Sequence, residues 1–391
     1  MDAIDEGTGR IVRPSQMAYV PLMNRFGILC VAALLVACGD DGGAAGDAST
    51  GAGTTGTTDA PTSGTPTTES PTTDAPTTDS PTTDAPTTDS PTTDGSSSGG
   101  ADSTGAESSS GGESLDCDAI PAGPFAPEEV FMPAAFDGSE DLAFDGAGGL
   151  AGKNGGNVRV VDASGAEVGS YVDAGLAYGL RYRANGDLLV AHPQSGVIRA
   201  IAPDGSGSDF ATGVGGVNGI YPDLDDNVWI TYSSVVGRYA ADGSYTDIVT
   251  GGDAATANGI VYDGDRGVAF YTNYSQGRIR KVIINDDGSA GAISDVAQVN
   301  GAAMDGLSLD ACGNIYAVDQ GNSRLYRVML DAAGDPLGNA EDIVEGNIQN
   351  IANAQFGRGG DFDELSIYAA GIPGVVYRFE VGVPGAEIPL P

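Results

Sequence analysis

The sequence predicts an all-β fold, a six-bladed β-propeller preceded by a signal peptide and a disordered Thr/Pro/Asp/Gly-rich linker. Two observations carry the propeller. From about residue 116, Val, Ile, Leu, Tyr and Phe come in runs of four to six broken by Gly, Asp and Asn, with no lasting helical period. Six segments of this region also share one pattern, the internal repetition expected of propeller blades.

The chain's first part does not belong to that fold. Residues 1–37 form a signal region, in which Arg25 precedes the apolar run Phe26–Ala37. That run is too short to span a bilayer and suits the core of an export signal. The acids Asp2, Asp5 and Glu6 do not fit such a leader, so Met23 is the expected start. The run closes on Leu35-Val36-Ala37-Cys38, which resembles a bacterial lipobox. The resemblance implies cleavage before Cys38, its acylation, and a lipid anchor in the bacterial cell envelope.

Residues 38–115 read as a disordered acidic stalk. Beyond Cys38 they are almost all Gly, Ser, Thr, Asp, Pro and Ala, with no Lys or Arg and one large aliphatic residue, Leu115. Such a stretch buries too little apolar surface to offset its ordering entropy. Within it Pro71–Asp94 repeats PTTD(A/S), kept extended by proline and by repulsion between aspartates.

The third region, residues 116–391, holds the repeats. They read SEDLAFDGAGGLAG, AYGLRYRANGDLLVAH, GVNGIYPDLDDNVWITY, TANGIVYDGDRGVAFYTN, MDGLSLDACGNIYAVD and IANAQFGRGGDFDELSIYAAG. Each has a polar or small pair, a short alternating strand, a Gly/Asp/Asn turn and a more apolar strand. A third strand and an acidic turn follow, as in GRIRKVIINDDGS. Six such units of three or four strands close radially into one propeller. The segment around Val130–Pro133 is expected to join the last blade as a clasp, and Trp229 to lie in the core.

Aligned, the repeats place Glu140, Tyr178, Asn218, Asn258, Asp305 and Asn353 at one position, 38 to 48 residues apart. The innermost strands of a propeller run along its channel, so these residues form a ring at one mouth. Two carboxylates, three amides and a phenol suit a hard divalent cation, Ca²⁺ first, with Zn²⁺ or Mg²⁺ as alternatives. The pairs Asn218-Gly219, Asn258-Gly259 and Asp305-Gly306 also read, singly, as turn signals. His192, the one histidine, follows the second strand of the second repeat and is a candidate proton shuttle at the same mouth, with Asn273 and Asp319 at similar places.

The segments EDLAFD, NGIYPDLDDNVWIT, NGIVYD with VAFYTN, and DGLSLDACGNIYAVD together resemble the senescence-marker/gluconolactonase family, the regucalcin-like propellers. The resemblance covers about 130–391. It implies one divalent metal held by Glu140, Asn258 and Asp305, with Asp305 also the general base, and Asn218 beside metal and substrate. Tyr178, His192 and Asn273 complete the expected substrate-binding set. Where the family's sugar-lactone hydrolases carry an arginine two residues before the third-repeat Asn, this chain has Gly216, and Glu140 is followed by Asp141-Leu142 instead of Gly-Pro. The implied activity is metal-dependent hydrolysis of a small lactone or ester. The alternatives are a non-catalytic metal-stabilised module for a ligand or protein, and a lyase- or synthase-like propeller.

Charge and cysteines add limits. Net charge is −37, with 13 of the 54 acids in the stalk, and Lys153 and Lys281 are the only lysines. No basic stripe exists to meet phosphates, which excludes nucleic acid as a partner. A monomer is expected. With Cys30 in the signal and Cys38 lipidated, Cys117 and Cys312 remain, either as a disulfide in an oxidising compartment or as two buried thiols.

Overall fold

A computed structural model describes residues 115–131, 135–372 and 374–391. The expected signal region, Cys38 and all of the expected stalk except Leu115 lie outside the described residues. What is described is an all-β, six-bladed propeller, each blade a four-stranded sheet.

Strand β1 (Glu128–Phe131) comes first. Blade 1 contains β2 (Leu142–Phe144), β3 (Leu150–Asn154), β4 (Asn157–Val161) and β5 (Glu167–Val172). Blade 2 contains β6 (Leu180–Tyr182), β7 (Leu188–His192), β8 (Val197–Ile201) and β9 (Gly207–Thr212). Blade 3 contains β10 (Val217–Pro222), β11 (Val228–Tyr232), β12 (Val235–Tyr239) and β13 (Tyr245–Thr250). Blade 4 contains β14 (Ala257–Asp263), β15 (Val268–Asn273), β16 (Arg278–Ile284) and β17 (Ala290–Gln298). Blade 5 contains β18 (Met304–Leu309), β19 (Ile315–Asp319), β20 (Arg324–Val328) and the short β21 (Glu341–Asp342). Blade 6 contains β22 (Asn353–Phe356), β23 (Ser366–Ala370) and β24 (Val376–Glu380), and β1 pairs antiparallel with β24 as its fourth strand. The clasp thus starts two residues earlier than the sequence suggests, and Met132 and Pro133 of the expected segment lie outside the described residues.

The second strand of each blade is mostly apolar and buried because blades cover both of its faces, as in LLVAH of β7 and IYAVD of β19, where every residue is buried. Between blades 3 and 4, Trp229 stacks on Tyr262 at 4.6 Å, and its indole N–H donates to Asp223 Oδ2 at 2.8 Å. Trp229 is therefore core, as expected. Between blades 6 and 1, Phe144, Phe362 and Tyr368 pack edge to face, with Phe131 of β1 beside Phe362.

Much of the domain's acidity is turn chemistry. Asp223 accepts the amides of Asp225 and Asn227, and Asp310 those of Cys312 and Asn314. Asp162 and Asp331 do the same in turns between third and fourth strands. These carboxylates stand in for backbone acceptors that a tight turn lacks.

The two ends of the described domain staple the ring. Cys117 and Cys312 form a disulfide across 195 residues, with Cα atoms 5.6 Å apart. Phe125 then bonds the edge of blade 5 through Ile343 and Glu345 before β1 crosses to blade 6. The C-terminal tail returns beneath blade 5, where Ala386 donates to the Leu309 carbonyl.

A cross-link this long removes much of the unfolded chain's freedom, so Cys117→Ser should lower stability by about 2–4 kcal/mol. Urea unfolding of the variant beside the oxidised parent measures it, and reductant should bring the parent to the variant's midpoint.

Candidate functional site

The site is built from how the innermost strands begin. In β10, β14 and β18 the register slips by one residue at Asn218-Gly219, Asn258-Gly259 and Asp305-Gly306. These pairs are β-bulges inside strands, not turns. A bulge re-aims the side chain of its extra residue, here toward the channel. The glycines do not have positive φ; they are required by space. A Cβ on Gly219 would sit 2.4 Å from the Asn258 carbonyl oxygen, and one on Gly259 2.4 Å from that of Asp305. A Cβ on Gly306 would meet Asn353 Oδ1 at 2.1 Å, and one on Gly179 the Asn218 carbonyl oxygen at 2.4 Å. Each glycine lets the next blade's innermost strand close up.

Glu140, Asn258 and Asp305 are buried, with 7%, 8% and 2% exposure. Glu140 Oε2, Asn258 Oδ1 and Asp305 Oδ2 have no hydrogen-bond partner among the described residues. Burial pushes the Glu140 carboxyl well above its ordinary range, and repulsion from Asp305 and then Asp141 adds to this. Burial likewise raises Asp305, with Asp141 adding, while a hydrogen bond from Asn258 offsets part. The two carboxyls share one field and titrate together.

Asp141 was not anticipated as part of this site. It is buried, accepts the Leu180 and Leu142 amides, and pairs with Arg181. Burial raises its proton affinity and Arg181 pulls it back. Three buried carboxylates, Glu140, Asp141 and Asp305, therefore interact, and of these Asp141 is the one paired with the buried Arg181. Gln320 is a second addition: its Nε2 donates to Glu140 Oε1 at 3.4 Å, and its Oε1 accepts from the Tyr274 hydroxyl at 2.6 Å. Tyr274 and Tyr178 are half-buried, and burial followed by the negative charge of Glu140 and Asp305 raises both phenols. Asp141 was visible as the residue after Glu140; nothing local marked Gln320 or Tyr274.

The other expected residues fall out differently. Asn218 occupies its bulge and is half-buried. Asn353 turns onto its own strand, accepting from the Ala354 amide at 2.8 Å. His192 lies at the same face but is consumed by the fold, with Nε2 against Asp173 Oδ1 at 2.9 Å and Nδ1 against the Leu176 carbonyl at 3.1 Å. Asp173 also holds the buried Lys153 at 2.8 Å. Neither ring nitrogen is left to carry a proton to a ligand. Asn273 donates to the Asp253 and Ala255 carbonyls, and Asp319 accepts the Ala303 amide at 2.9 Å. All three brace the loop leading into their own blade's innermost strand. Gly216 has φ +74°, so a left-handed turn stands where the resemblance places an arginine.

Among the described residues no three of His, Cys, Asp and Glu gather as metal ligands. The donor set is instead two carboxylates with amide oxygens, an all-oxygen set that fits a hard cation. Three unpartnered, buried oxygens on blades 1, 4 and 5 fit it as well.

Comparison with known proteins follows this geometry. No protein-family model matches the chain, and no curated protein matches it. Solved structures do. One is a calcium-binding protein, regucalcin, from Agrobacterium tumefaciens, with 16% identity, TM-score 0.55, and 69% of this chain and 99% of that one covered. Another is a gluconolactonase from Xanthomonas campestris, with 16% identity, TM-score 0.53, and 68% and 99% covered. A luciferin-regenerating enzyme matches with 16% identity and TM-score 0.55 over 65% and 95%. The structural neighbours are thus gluconolactonase- and regucalcin-like six-bladed propellers.

The raised carboxyls predict a pH effect in protein freed of divalent ions. A folded-state carboxyl with raised proton affinity holds its proton where the unfolded chain has released it. Stability from that group is full below the unfolded value, about 4, and is lost as pH rises through the folded value. Glu140→Gln removes this loss. The variant should gain stability over the parent as pH is raised above about 4, measured by paired thermal melts in chelator.

Proposed function

We propose that the upper channel mouth is a divalent-cation site and that the protein is a hydrolase of lactone or ester type. The observation that carries this is the set of unpartnered buried oxygens on Glu140, Asn258 and Asp305, on three separate blades beside a surplus of negative charge. Such a surplus is costly without a proton or a cation. Glu140 Oε2, Asn258 Oδ1 and Asp305 Oδ2 would hold the cation, with Ca²⁺ the best match and Zn²⁺ or Mg²⁺ the alternatives. When bound, it would supply polarisation of a substrate carbonyl.

The chain's own residues supply the rest. Asp305, buried beside Asn258 on the neighbouring blade, takes a proton from water. The hydroxide oxygen adds to the carbonyl carbon, the ring C–O bond breaks, and the leaving oxygen takes the proton back, giving a hydroxy acid. Gln320 steadies one Glu140 oxygen and leaves the other toward the mouth. Tyr178 and Tyr274 flank the acids with phenols, and Asn218 adds an amide on blade 3. Gly216 supplies no side chain where the resemblance places an arginine that contacts a sugar, which favours a lactone or ester other than a sugar lactone.

The same glycine favours a second reading, a metal-stabilised binding module without catalysis. The sequence of Phe26–Cys38 supports a lipid anchor in the cell envelope under either reading. The propeller is read as a monomer, with no nucleic acid as partner.

A panel of uncharged lactones and aryl esters, assayed with Ca²⁺ and with EDTA, should show turnover that chelator abolishes. Asp305→Asn should cut kcat by about 10²-fold or more, the size of a lost general base. Turnover untouched by chelator would count against the metal, and none across the panel would favour the binding module.

A further inference from the structure

The bulges at Gly219 and Gly259 leave amides that the ladder cannot pair, and two threonines take them. Thr231 Oγ1 accepts from the Gly219 amide at 2.9 Å and donates to the Asn258 carbonyl. Thr272 Oγ1 accepts from the Gly259 amide at 2.7 Å and donates to the Asp305 carbonyl at 2.7 Å. Both are wholly buried, next to last in the second strands β11 and β15. The two hydroxyls thereby connect Asn218-Gly219 on blade 3 to Asn258 on blade 4, and Asn258-Gly259 to Asp305 on blade 5.

The position exists in every blade, but a threonine stands only in these two. It holds Lys153 in blade 1, Ala191 in blade 2, Val318 in blade 5 and Ala369 in blade 6. In blade 5 the Gly306 amide reaches the Ala352 carbonyl directly, at 2.9 Å, with no side chain between. A hydroxyl is therefore not what propeller closure demands. It appears where the next blade carries Asn258 or Asp305, and is absent where that blade carries Asn353, which folds back on its own strand.

We infer that Thr231 and Thr272 are positioning residues that fix Asn258 and Asp305 for cation binding. The inference rests on the cation site proposed above. A hydrogen bond to the residue's own carbonyl sets the backbone from which its side chain points. A β-branched donor locked by burial adds little freedom of its own. Partners that orient the ligating groups themselves tune metal affinity about 10- to 100-fold, and these hydroxyls act on the main chain of the same residues.

The test is calorimetric titration of the purified, chelator-stripped protein with Ca²⁺ and with Mn²⁺, beside thermal melts without metal. Thr272→Val keeps the shape and removes the hydroxyl; Thr272→Ser keeps the hydroxyl. The expected result is affinity weakened about 10- to 100-fold in Thr272→Val, within about threefold of the parent in Thr272→Ser, and weakened similarly in Thr231→Val. If Thr272→Val does not fold, Thr231→Val carries the test through Asn258. Valine variants that melt lower but bind as tightly as the parent would overturn the positioning role and leave the cation site standing. A parent that binds neither ion would overturn both.

Discussion

Six innermost strands meet around one channel, and at its upper mouth their backbones come closer than a side chain permits. This single constraint organises the site. Glycine must stand at 219, 259 and 306, because a Cβ there would lie within 2.4 Å of the neighbouring blade. The strand accommodates the crowding by slipping one residue, and the slip turns the preceding side chain inward. Asn218, Asn258 and Asp305 are thus brought toward the channel by the glycines that follow them. Packing has produced the chemistry's geometry before any ligand is considered.

The electrostatic consequence follows from where those side chains end. A carboxylate in a solvated turn, such as Asp162, is held below its usual range by the hydroxyl and amides it caps. Asp305, buried on the innermost strand of its blade, is pushed the other way by burial. Asp141 compounds this, and its pairing with Arg181 neutralises only one of the three negative charges. The fold accordingly concentrates buried negative charge at one point of the domain. Hydrophobic contact between blades supplies the stability against which that local cost is set.

Much of the fold was legible because the repeats keep one register over the whole domain. Pattern alone located all six blades and the closing strand. What pattern could not show was the partner of each ring residue, since that depends on the adjacent blade. Asn353 and Asp305 align in sequence, yet one bonds its own strand and the other has an unpartnered oxygen. His192 looked like a shuttle because a lone histidine near a mouth is chemically versatile. Its burial between Asp173 and the Leu176 carbonyl depends on residues 16 to 19 positions away, and on Lys153 beyond them. Arg181 and Gln320 had no signature at all, being ordinary polar residues placed by tertiary contact.

The same residue type therefore means two things along this chain, and its neighbours decide which. At Asp310 the aspartate is followed by a turn, Ala311 to Gly313, with Gly313 at φ +75°, and the carboxylate caps the amides of Cys312 and Asn314. At Asp305, five residues earlier, glycine follows directly, inside a strand, and its φ is not left-handed. One glycine is chosen for conformation and the other for room. The first frees a carboxylate to satisfy backbone; the second turns a carboxylate inward and leaves an oxygen without a hydrogen-bond partner among the described residues. Distance from acid to glycine, read together with strand register, separates a turn from a site.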